Sequence, residues 1–284
     1  MQKKSNRYIQ KFINIIALGL IMFFCMSSLS CSSHIRNSQK KVINRDSFVK
    51  LEKTLEVIFC VEDNKCGKLA SFGSTASGAV IKNRFDGSYI LTAAHVCDSE
   101  KMKAFVQSYF APVLDGQGSG VSLKYGILFN ARTINDKRHP VKIVAQDPEN
   151  DICLLWVADC HKQALAISPK SPEPGDRAYN IAAPLGIFAK NMIPLQEGLY
   201  DGEHKNRAFY SIPAIGGSSG SPILNHKGEL IGMIHSTYTN FNHLSISPTY
   251  SDLMSFIDGE MNKHISLHMI DTYMRILTKH RKEL

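Results

Sequence analysis

The sequence lacks an apolar run long enough to cross a bilayer, and it lacks the composition of several non-globular classes. The apolar run over 12–26, broken only by Asn14, has 15 residues, fewer than the roughly 18–20 of a membrane-spanning helix. Of the 284 residues, 44% are hydrophobic and 20% are charged, which excludes intrinsic disorder and a collagen-like chain. There is also no internal repeat and no low-complexity block. We therefore expect a packed core.

An arginine-rich stripe is absent as well, and the positive charge is unevenly spread. Of the net charge of +8, four units come from residues 1–30, where Lys3, Lys4, Arg7 and Lys11 occur without any acid. The rest of the chain carries 29 basic and 25 acidic side chains, a net charge of +4. Basic residues rarely interleave with aromatic ones. We therefore expect no nucleic-acid partner.

The basic amino-terminal stretch and the apolar run have the layout of a secretory signal peptide over 1–30. Cleavage after Ser30 places small residues at −1 and −3 and leaves Cys31 at the new terminus. Cys31 would be the lipidated residue of a bacterial lipoprotein, although that pattern prefers leucine where this chain has Ser28. A lipid tether to the membrane and an uncleaved anchor both stay open. Each alternative predicts an exported protein, whether periplasmic, surface-bound or secreted.

No cysteine pair has the two-to-four-residue gap of a zinc knuckle, so we expect no metal and no cofactor. Of the seven cysteines, Cys60 and Cys66 flank a polar loop and can close a hairpin. Cys153 and Cys160 can do the same. If Cys31 is lipidated, five cysteines of the mature chain remain to pair, so at least one thiol stays free. Disulfides are consistent with an exported protein.

After a polar tether over 31–45, short β-rich runs bounded by turn residues extend to about residue 258. The runs cover 55–61, 77–82, 89–94, 102–110, 121–129, 140–145, 152–157, 177–182, 208–211, 222–225, 229–236 and 244–247. Many short strands at this spacing, with few helical segments between them, predict an all-β antiparallel barrel or sandwich.

The segment 259–284 has a different pattern, in which apolar residues follow helical spacing. These residues are Leu267, Ile270, Tyr273, Met274 and Leu277, and Leu253, Phe256 and Ile257 indicate a short helix before them. One interpretation is a basic helix on a membrane surface. We favour a terminal helix whose apolar stripe packs on the barrel.

Three separated segments carry side chains with catalytic chemistry. The strand-like run 89–95 ends in His95, Asp151 precedes an apolar strand, and the glycine-rich turn 216–222 contains Ser219. A serine hydroxyl attacks a carbonyl only when an imidazole takes its proton and a carboxylate orients that imidazole. Each segment alone has a structural explanation, but in this order they supply all three groups.

The glycines of the third segment indicate a further role for the backbone. We expect the N–H groups of Gly217 and Ser219 to point at a developing oxyanion. Such a bend is crowded for residues with a Cβ atom.

TAAH at 92–95, D-I-x-L-L at 151–155 and G-x-S-G-S-P at 217–222 resemble the three signature segments of chymotrypsin-like (trypsin-fold) serine proteases. The resemblance is to the bacterial branch with glutamyl endopeptidases and high-temperature-requirement proteases. It implies a double six-stranded antiparallel β-barrel over 46–258 with a C-terminal helical tail. The 26 residues after 258 are too few for the PDZ module of the latter enzymes.

The resemblance also implies an activity and a role for each residue. The activity is that of a serine endopeptidase acting on proteins or peptides, with Ser219 as nucleophile, His95 as general base and acid, and Asp151 as orienting carboxylate. Asp147 is the rival for the third role, but it precedes Pro148 in a turn. The alternative function is a catalytically silent binding protein of the same fold, although such proteins usually lack a triad residue and this chain has all three.

The sequence departs from the animal enzymes at two of the matched segments. Ser218 stands where those enzymes have an acid that pairs with a freed amino terminus, so we do not expect activation by that ion pair. Ser218 and Ser221 are also rivals for the nucleophile. With Ser221 as nucleophile the SG-then-Pro register of the motif would be wrong, and with Ser218 the bend would come one residue early. Cys97 lies two residues after His95, whereas animal relatives have a half-cystine directly after the histidine, so that disulfide is not transferred.

The resemblance maps the substrate pocket onto Pro213, Ile234, His235, Ser236 and Thr237. The absence of an acid at Pro213 disfavours a requirement for lysine or arginine. His235 can pair with an acidic side chain, as a histidine does in glutamyl endopeptidases, but it lies one residue later, and such a shift reverses the face of a strand. Ile234 then faces the pocket, which favours small or aliphatic substrate residues.

Overall fold

The computed structural model describes residues 43–61, 65–84, 86–115, 122–238 and 240–280. The predicted signal, Cys31 and nearly all of the tether lie outside the described residues. Among the helices within these ranges, none combines the length and the apolar character that a membrane span requires.

Seven antiparallel strands form the first sheet, in the order β5-β4-β1-β2-β3-β7-β6. Their bounds are β1 Phe48–Val61, β2 Lys65–Arg84, β3 Gly87–Thr92, β4 Ser122–Thr133, β5 Arg138–Pro140, β6 Lys142–Asp147 and β7 Ile152–Ala158. The long β1 pairs with β2 over its whole length and with β4 on its other side. Alternate residues of β1, including Val49, Leu51, Leu55 and Val57, are buried in the core, as expected for a strand with one inward face.

The second sheet also has seven antiparallel strands, in the order β12-β11-β8-β9-β10-β14-β13. Their bounds are β8 Arg177–Ile181, β9 Leu195–His204, β10 Arg207–Tyr210, β11 Ser221–Leu224, β12 Leu230–Ile234, β13 Ser236–Tyr238 and β14 Phe241–Pro248. A separate core cluster, which includes Tyr200, Tyr210, Ile212 and Ile223, fills the space inside this sheet.

Two antiparallel sheets with a terminal helix confirm the predicted all-β class. Each sheet has seven strands where six were predicted. The difference comes from the three-residue strands β5 and β13, each of which extends one edge of its sheet. Segments this short carry no alternation that a sequence pattern can reveal.

The predicted strand over 102–110 is wrong, because this segment lies in a helix. Helices α1 Ala94–Cys97 and α2 Glu100–Asp115 connect β3 with β4. Val106 is fully buried against Leu55 and Val57 of β1, with Met102 and Phe110 packed beside it. The spacing of four residues between Met102, Val106 and Phe110 places all three on one helix face, and this packing prevails over their β-propensity.

The terminal helix α3 spans Tyr250–His280 without a break, so it begins before the predicted boundary at 258. Its first half packs on the protein through Leu253 and Ile257, which are both fully buried. Leu267 and Ile270 are each 58% exposed. The prediction that these two residues pack on the barrel is therefore wrong.

Of the two predicted disulfides, one is confirmed and one is wrong. Cys60 and Cys66 are bonded across the β1–β2 hairpin. Cys153 is bonded to Cys97 instead of Cys160, whose thiol is buried and free. Cys153 lies near the start of β7, whereas Cys160 lies beyond its end at Ala158. An extended strand rises roughly 3.3 Å per residue, so the strand between them places the two far beyond the reach of a disulfide.

Candidate active site

His95 lies in the short helix α1, directly after the end of β3, and its ring contacts Asp151. Asp151 precedes β7 and has a left-handed backbone with φ of 56°. Its carbonyl oxygen accepts a hydrogen bond from the Ala94 N–H at 3.1 Å, and Oδ1 accepts one from the His95 N–H at 2.8 Å. Oδ2 lies 2.8 Å from Nδ1 of the His95 ring. Three contacts from one aspartate therefore hold both the backbone and the ring of His95.

The protonation state of Asp151 decides the tautomer of His95. Burial raises the pKa of Asp151, but the hydrogen bonds from the His95 ring and backbone outweigh it and lower the pKa below its ordinary value. The carboxylate is therefore ionised at neutral pH and can only accept. It follows that Nδ1 of His95 donates to Asp151 and that Nε2 of the neutral ring carries the lone pair.

Ser219 lines a cavity of about 350 Å³ together with His95 and Gly217. Ser77 of β2 holds the turn that contains Ser219. The Ser77 N–H donates to the Ser219 carbonyl at 2.8 Å, and the Ser77 hydroxyl donates to the Gly217 carbonyl at 2.8 Å. Sequence analysis missed Ser77, and its only local signal is a small polar residue just before an apolar stretch of strand.

Gly217 has the backbone conformation that an oxyanion site requires. Its φ is 96°, and a Cβ atom added there would lie 2.5 Å from the Ala183 carbonyl oxygen. Within the described residues, the N–H groups of Ser218 and Gly220 donate to other backbone carbonyls, whereas those of Gly217 and Ser219 have no protein acceptor. Two unpaired donors at the edge of a cavity form a site for a negatively charged oxygen.

The rivals for the nucleophile are both buried. Ser218 is 1% exposed, and its hydroxyl oxygen lies 3.4 Å from the Ile215 nitrogen. Ser221 is completely buried, and its hydroxyl accepts a hydrogen bond from the Asn180 amide at 2.8 Å. Ser219 is partly exposed and lines the cavity, so its hydroxyl is the one that a substrate can reach.

The rival carboxylate has a structural contact of its own. Oδ1 of Asp147 accepts hydrogen bonds from the N–H groups of Glu149 and Asn150, each at 3.1 Å. Asp147 therefore stabilises the turn that leads to Asp151, in the manner of an Asx turn.

The residues predicted to form the substrate pocket differ in their burial. Ile234 is 1% exposed and packs in the core of the second sheet, so the prediction that it faces a pocket is wrong. Pro213 and Ser236 are half-buried, and the half-buried Thr237 donates its hydroxyl to the Leu244 carbonyl. Since strand residues alternate, the inward side chain of Ile234 requires that its neighbour point the other way.

That neighbour, His235, lies beside Asp151. Its Nδ1 lies 3.5 Å from Oδ2 of Asp151, and its side chain is 9% exposed. Burial lowers the pKa of His235 to about 4, and the charge of Asp151 only partly opposes this shift. His235 is therefore a neutral ring at neutral pH, buried against the carboxylate that holds His95.

A second cavity of about 370 Å³ is lined by His95, Asp151, His235 and Arg207 among others. Arg207 of β10 donates to the Glu149 carbonyl at 2.7 Å. It thereby ties the second sheet to the turn that carries Asp151. No motif in the sequence pointed to Arg207.

Comparison with known proteins agrees with this fold. The family described as "Trypsin-like peptidase domain" matches residues 76–233. Among 567 matching chains of solved structures is the serine endoprotease from Yersinia pestis, with 14% sequence identity and a TM-score of 0.53. The match covers 80% of this chain and 66% of that one, so this chain spans about two thirds of its length. No curated protein matches. The likeness shows that the two curled sheets have the chymotrypsin-like fold.

Proposed function

The chain belongs to the trypsin-like peptidase domain family, and on this premise we propose that it is an exported serine endopeptidase. One observation carries the proposal: His95, held by Asp151, lines the same cavity as Ser219 and Gly217 of the glycine turn. The substrates are proteins or peptides, and the reaction proceeds through an acyl-enzyme on Ser219.

Acylation uses His95 first as a base and then as an acid. Nε2 takes the proton of the Ser219 hydroxyl while Oγ attacks the carbonyl carbon of the scissile bond. The resulting oxyanion accepts hydrogen bonds from the N–H groups of Gly217 and Ser219. Nε2 then gives its proton to the leaving amine as the carbon–nitrogen bond breaks. The ionised Asp151 stabilises the imidazolium that exists between these two steps.

Deacylation repeats the same steps with water. The cavity of about 350 Å³ has room for it beside His95 once the amine has left. Nε2 takes a proton from water, the hydroxyl oxygen attacks the ester carbonyl, and the proton returns to Oγ of Ser219. The carboxylic acid product leaves and the free enzyme is restored.

Export is supported by the two disulfides, because such bonds form and persist in oxidising compartments. It agrees with the signal-peptide pattern over 1–30. Mass spectrometry of the amino terminus, on full-length protein expressed in a bacterial host, tests this part. We expect a chain that begins at Cys31, and the mass of that residue reveals any attached lipid.

The activity is tested with a fluorophosphonate probe, which labels only an activated serine. The wild-type protein is expected to be labelled, and Ser219→Ala is expected to abolish labelling. Ser218→Ala serves as the matched control, because it removes a neighbouring hydroxyl and should leave labelling in place. Labelling that survives in Ser219→Ala would refute the assignment. A folded wild-type protein that is never labelled would favour the silent binding protein.

A further inference from the structure

Lys53 occupies a core-facing position of β1. The inward residues of this strand are apolar on both sides of it, with Leu51 before and Leu55 after, and Lys53 itself is only 4% exposed. A buried ammonium group costs free energy that an aliphatic side chain at the same position would not. A lysine at such a position therefore needs a compensating contact or a function.

Among the described residues, the hydrogen-bond acceptors of the Lys53 ammonium group are uncharged. Nζ donates to the Asp98 carbonyl at 3.0 Å and to the Ser99 hydroxyl at 3.3 Å, and it lies 4.9 Å from the centre of the Phe129 ring. Within the described part of the chain, no carboxylate oxygen lies within 4.0 Å of Nζ. These contacts hold the charge in place without neutralising it.

Lys53 is also one of the residues that line the cavity of the proposed nucleophile. Lys53 and Lys101 lie on its wall together with His95 and Ser219. The one acidic side chain among the lining residues is Asp98, so with His95 neutral the lining carries a net charge of +1. A cavity with this charge beside the reacting atoms favours an anionic group of the substrate.

The residues that line the cavity indicate which half of the substrate it faces. Its wall on the Lys53 side consists of first-sheet residues of β1 and β2, including Ser74 and Ala76, and of helices α1 and α2. The acyl half of the substrate is expected along the second sheet, near Pro213 and the strand after Ile234. The opposite side of Ser219 is therefore left for the amine half that departs.

We propose that Lys53, assisted by Lys101, forms a subsite for a carboxylate on the leaving-group side of the scissile bond. This inference rests on the proposed function, because the two halves of the substrate are defined by the attack of Ser219. Two groups of a substrate carry such a carboxylate. One is an aspartate or glutamate side chain, and the other is the carboxyl terminus of the substrate.

The subsite should depend on pH, because only the protonated amine attracts an anion. Burial lowers the pKa of Lys53 to about 8, and the charge of Asp98 only partly opposes it. Asp98, Lys101 and His95 are the other charged or titratable groups that line the cavity. The preference for a carboxylate should therefore be full near pH 7 and decline as the pH rises well above 8.

The test uses quenched fluorescent peptides that contain one cleavage site, found beforehand with a peptide library. Pairs differ only by Glu or Gln at the first or second position on the leaving-group side, and a further pair has a free or an amidated carboxyl terminus. We expect kcat/KM to favour the carboxylate member by about tenfold or more at pH 7. The pair that shows the preference identifies the source of the carboxylate.

Variants assign the preference to Lys53. In Lys53→Met the ratio between the paired peptides should fall to about one. Lys50→Met is the matched control, because Lys50 is also buried on β1 but pairs with Glu52 at 3.3 Å and does not line the cavity. It should keep the wild-type ratio. If Lys53→Met does not fold, the wild-type ratio is compared at pH 7 and pH 9.5. A lower ratio at pH 9.5 supports the role of Lys53, and an unchanged ratio counts against it.

Two outcomes separate failure of this inference from failure of the proposed function. Wild-type protein that cleaves both members of every pair equally well would overturn the subsite and leave the proposed activity intact. Binding of the same peptides to Ser219→Ala, measured by calorimetry, is independent of catalysis. Tighter binding of the carboxylate member there, lost on adding Lys53→Met, supports the subsite even if the wild-type protein cleaves nothing.

Discussion

Nδ1 of His235 lies 3.5 Å from Oδ2 of Asp151, the same oxygen that His95 contacts at 2.8 Å. One carboxylate therefore lies between two imidazoles, of which one is exposed to the substrate cavity and the other is buried. The exposed ring needs the negative charge for catalysis. The buried ring stays neutral because burial disfavours its charged form and lowers its pKa.

We predict that His235→Asn weakens the pH dependence of stability between pH 4 and 6.5. The folded protein keeps His235 unprotonated down to about pH 4, whereas an unfolded chain binds the proton near pH 6.5. The wild-type free energy of unfolding should therefore fall with decreasing pH across this window, with a contribution of at most about 1.4 kcal/mol per pH unit. Asp151 has the same sign at lower pH, because its pKa is lowered in the folded protein and its contribution is lost only as the pH falls below the ordinary value of 3.8.

Urea unfolding at pH 4.5, 5.5 and 6.5 measures this slope. The control is His226→Asn, which removes an exposed histidine and should keep the wild-type slope. Equal slopes in the wild-type protein and His235→Asn would contradict the prediction.

Asp151→Asn should lower kcat by roughly 10⁴-fold, the loss known for this substitution in the Ser-His-Asp template. An amide at this position cannot hold the charge that stabilises the imidazolium, and its NH₂ group favours the wrong tautomer of His95. Asp147→Asn is the matched control, since an amide oxygen can still accept from Glu149 and Asn150. It should retain most of the activity. Steady-state kinetics on one peptide decides between the two aspartates, and a large loss in the control would reverse their roles.

Gly217→Ala should lower both activity and stability. The left-handed backbone at Gly217 costs an alanine roughly 1–2 kcal/mol, and the added Cβ would push against the Ala183 carbonyl. Any shift of the turn misaligns an oxyanion donor, which costs roughly 10²–10³-fold in kcat. Gly216→Ala is the stability control, since a Cβ there meets nothing within 4 Å. Its melting temperature should equal that of the wild-type protein, whereas an unchanged melting temperature for Gly217→Ala would be unexpected.

The two disulfides should contribute unequally. Cys97–Cys153 joins the helix of His95 to the strand after Asp151 and closes a loop with a sequence separation of 56, against 6 for Cys60–Cys66. A longer loop gains more from a cross-link, about 2–4 kcal/mol in typical cases. Cys97→Ala/Cys153→Ala should therefore be the less stable double variant, with a lower kcat. Guanidinium unfolding and peptide kinetics compare it with Cys60→Ala/Cys66→Ala, and an equal loss in both would count against this account.

Local patterns were sufficient where the chemistry is local. The strand that ends at His95, the acid before an apolar strand and the glycine turn around Ser219 are each visible within a few residues. The local pattern predicted a strand over 102–110, but these residues form a helix, because one helix face packs into the core around Val106. It also failed for the partner of Cys153, since that choice depends on which segment lies beside β7 in space.

The sequence by itself determined the all-β class, the order of the three catalytic side-chain types, and one hairpin disulfide. Only the tertiary structure decided that Ser77 holds the turn of Ser219, that His235 faces Asp151, and that Lys53 lines the cavity of Ser219. Ser77 and Gly217 are 140 residues apart. Contacts over such separations follow from how the two sheets curl and meet, and no periodicity within a single segment carries that information.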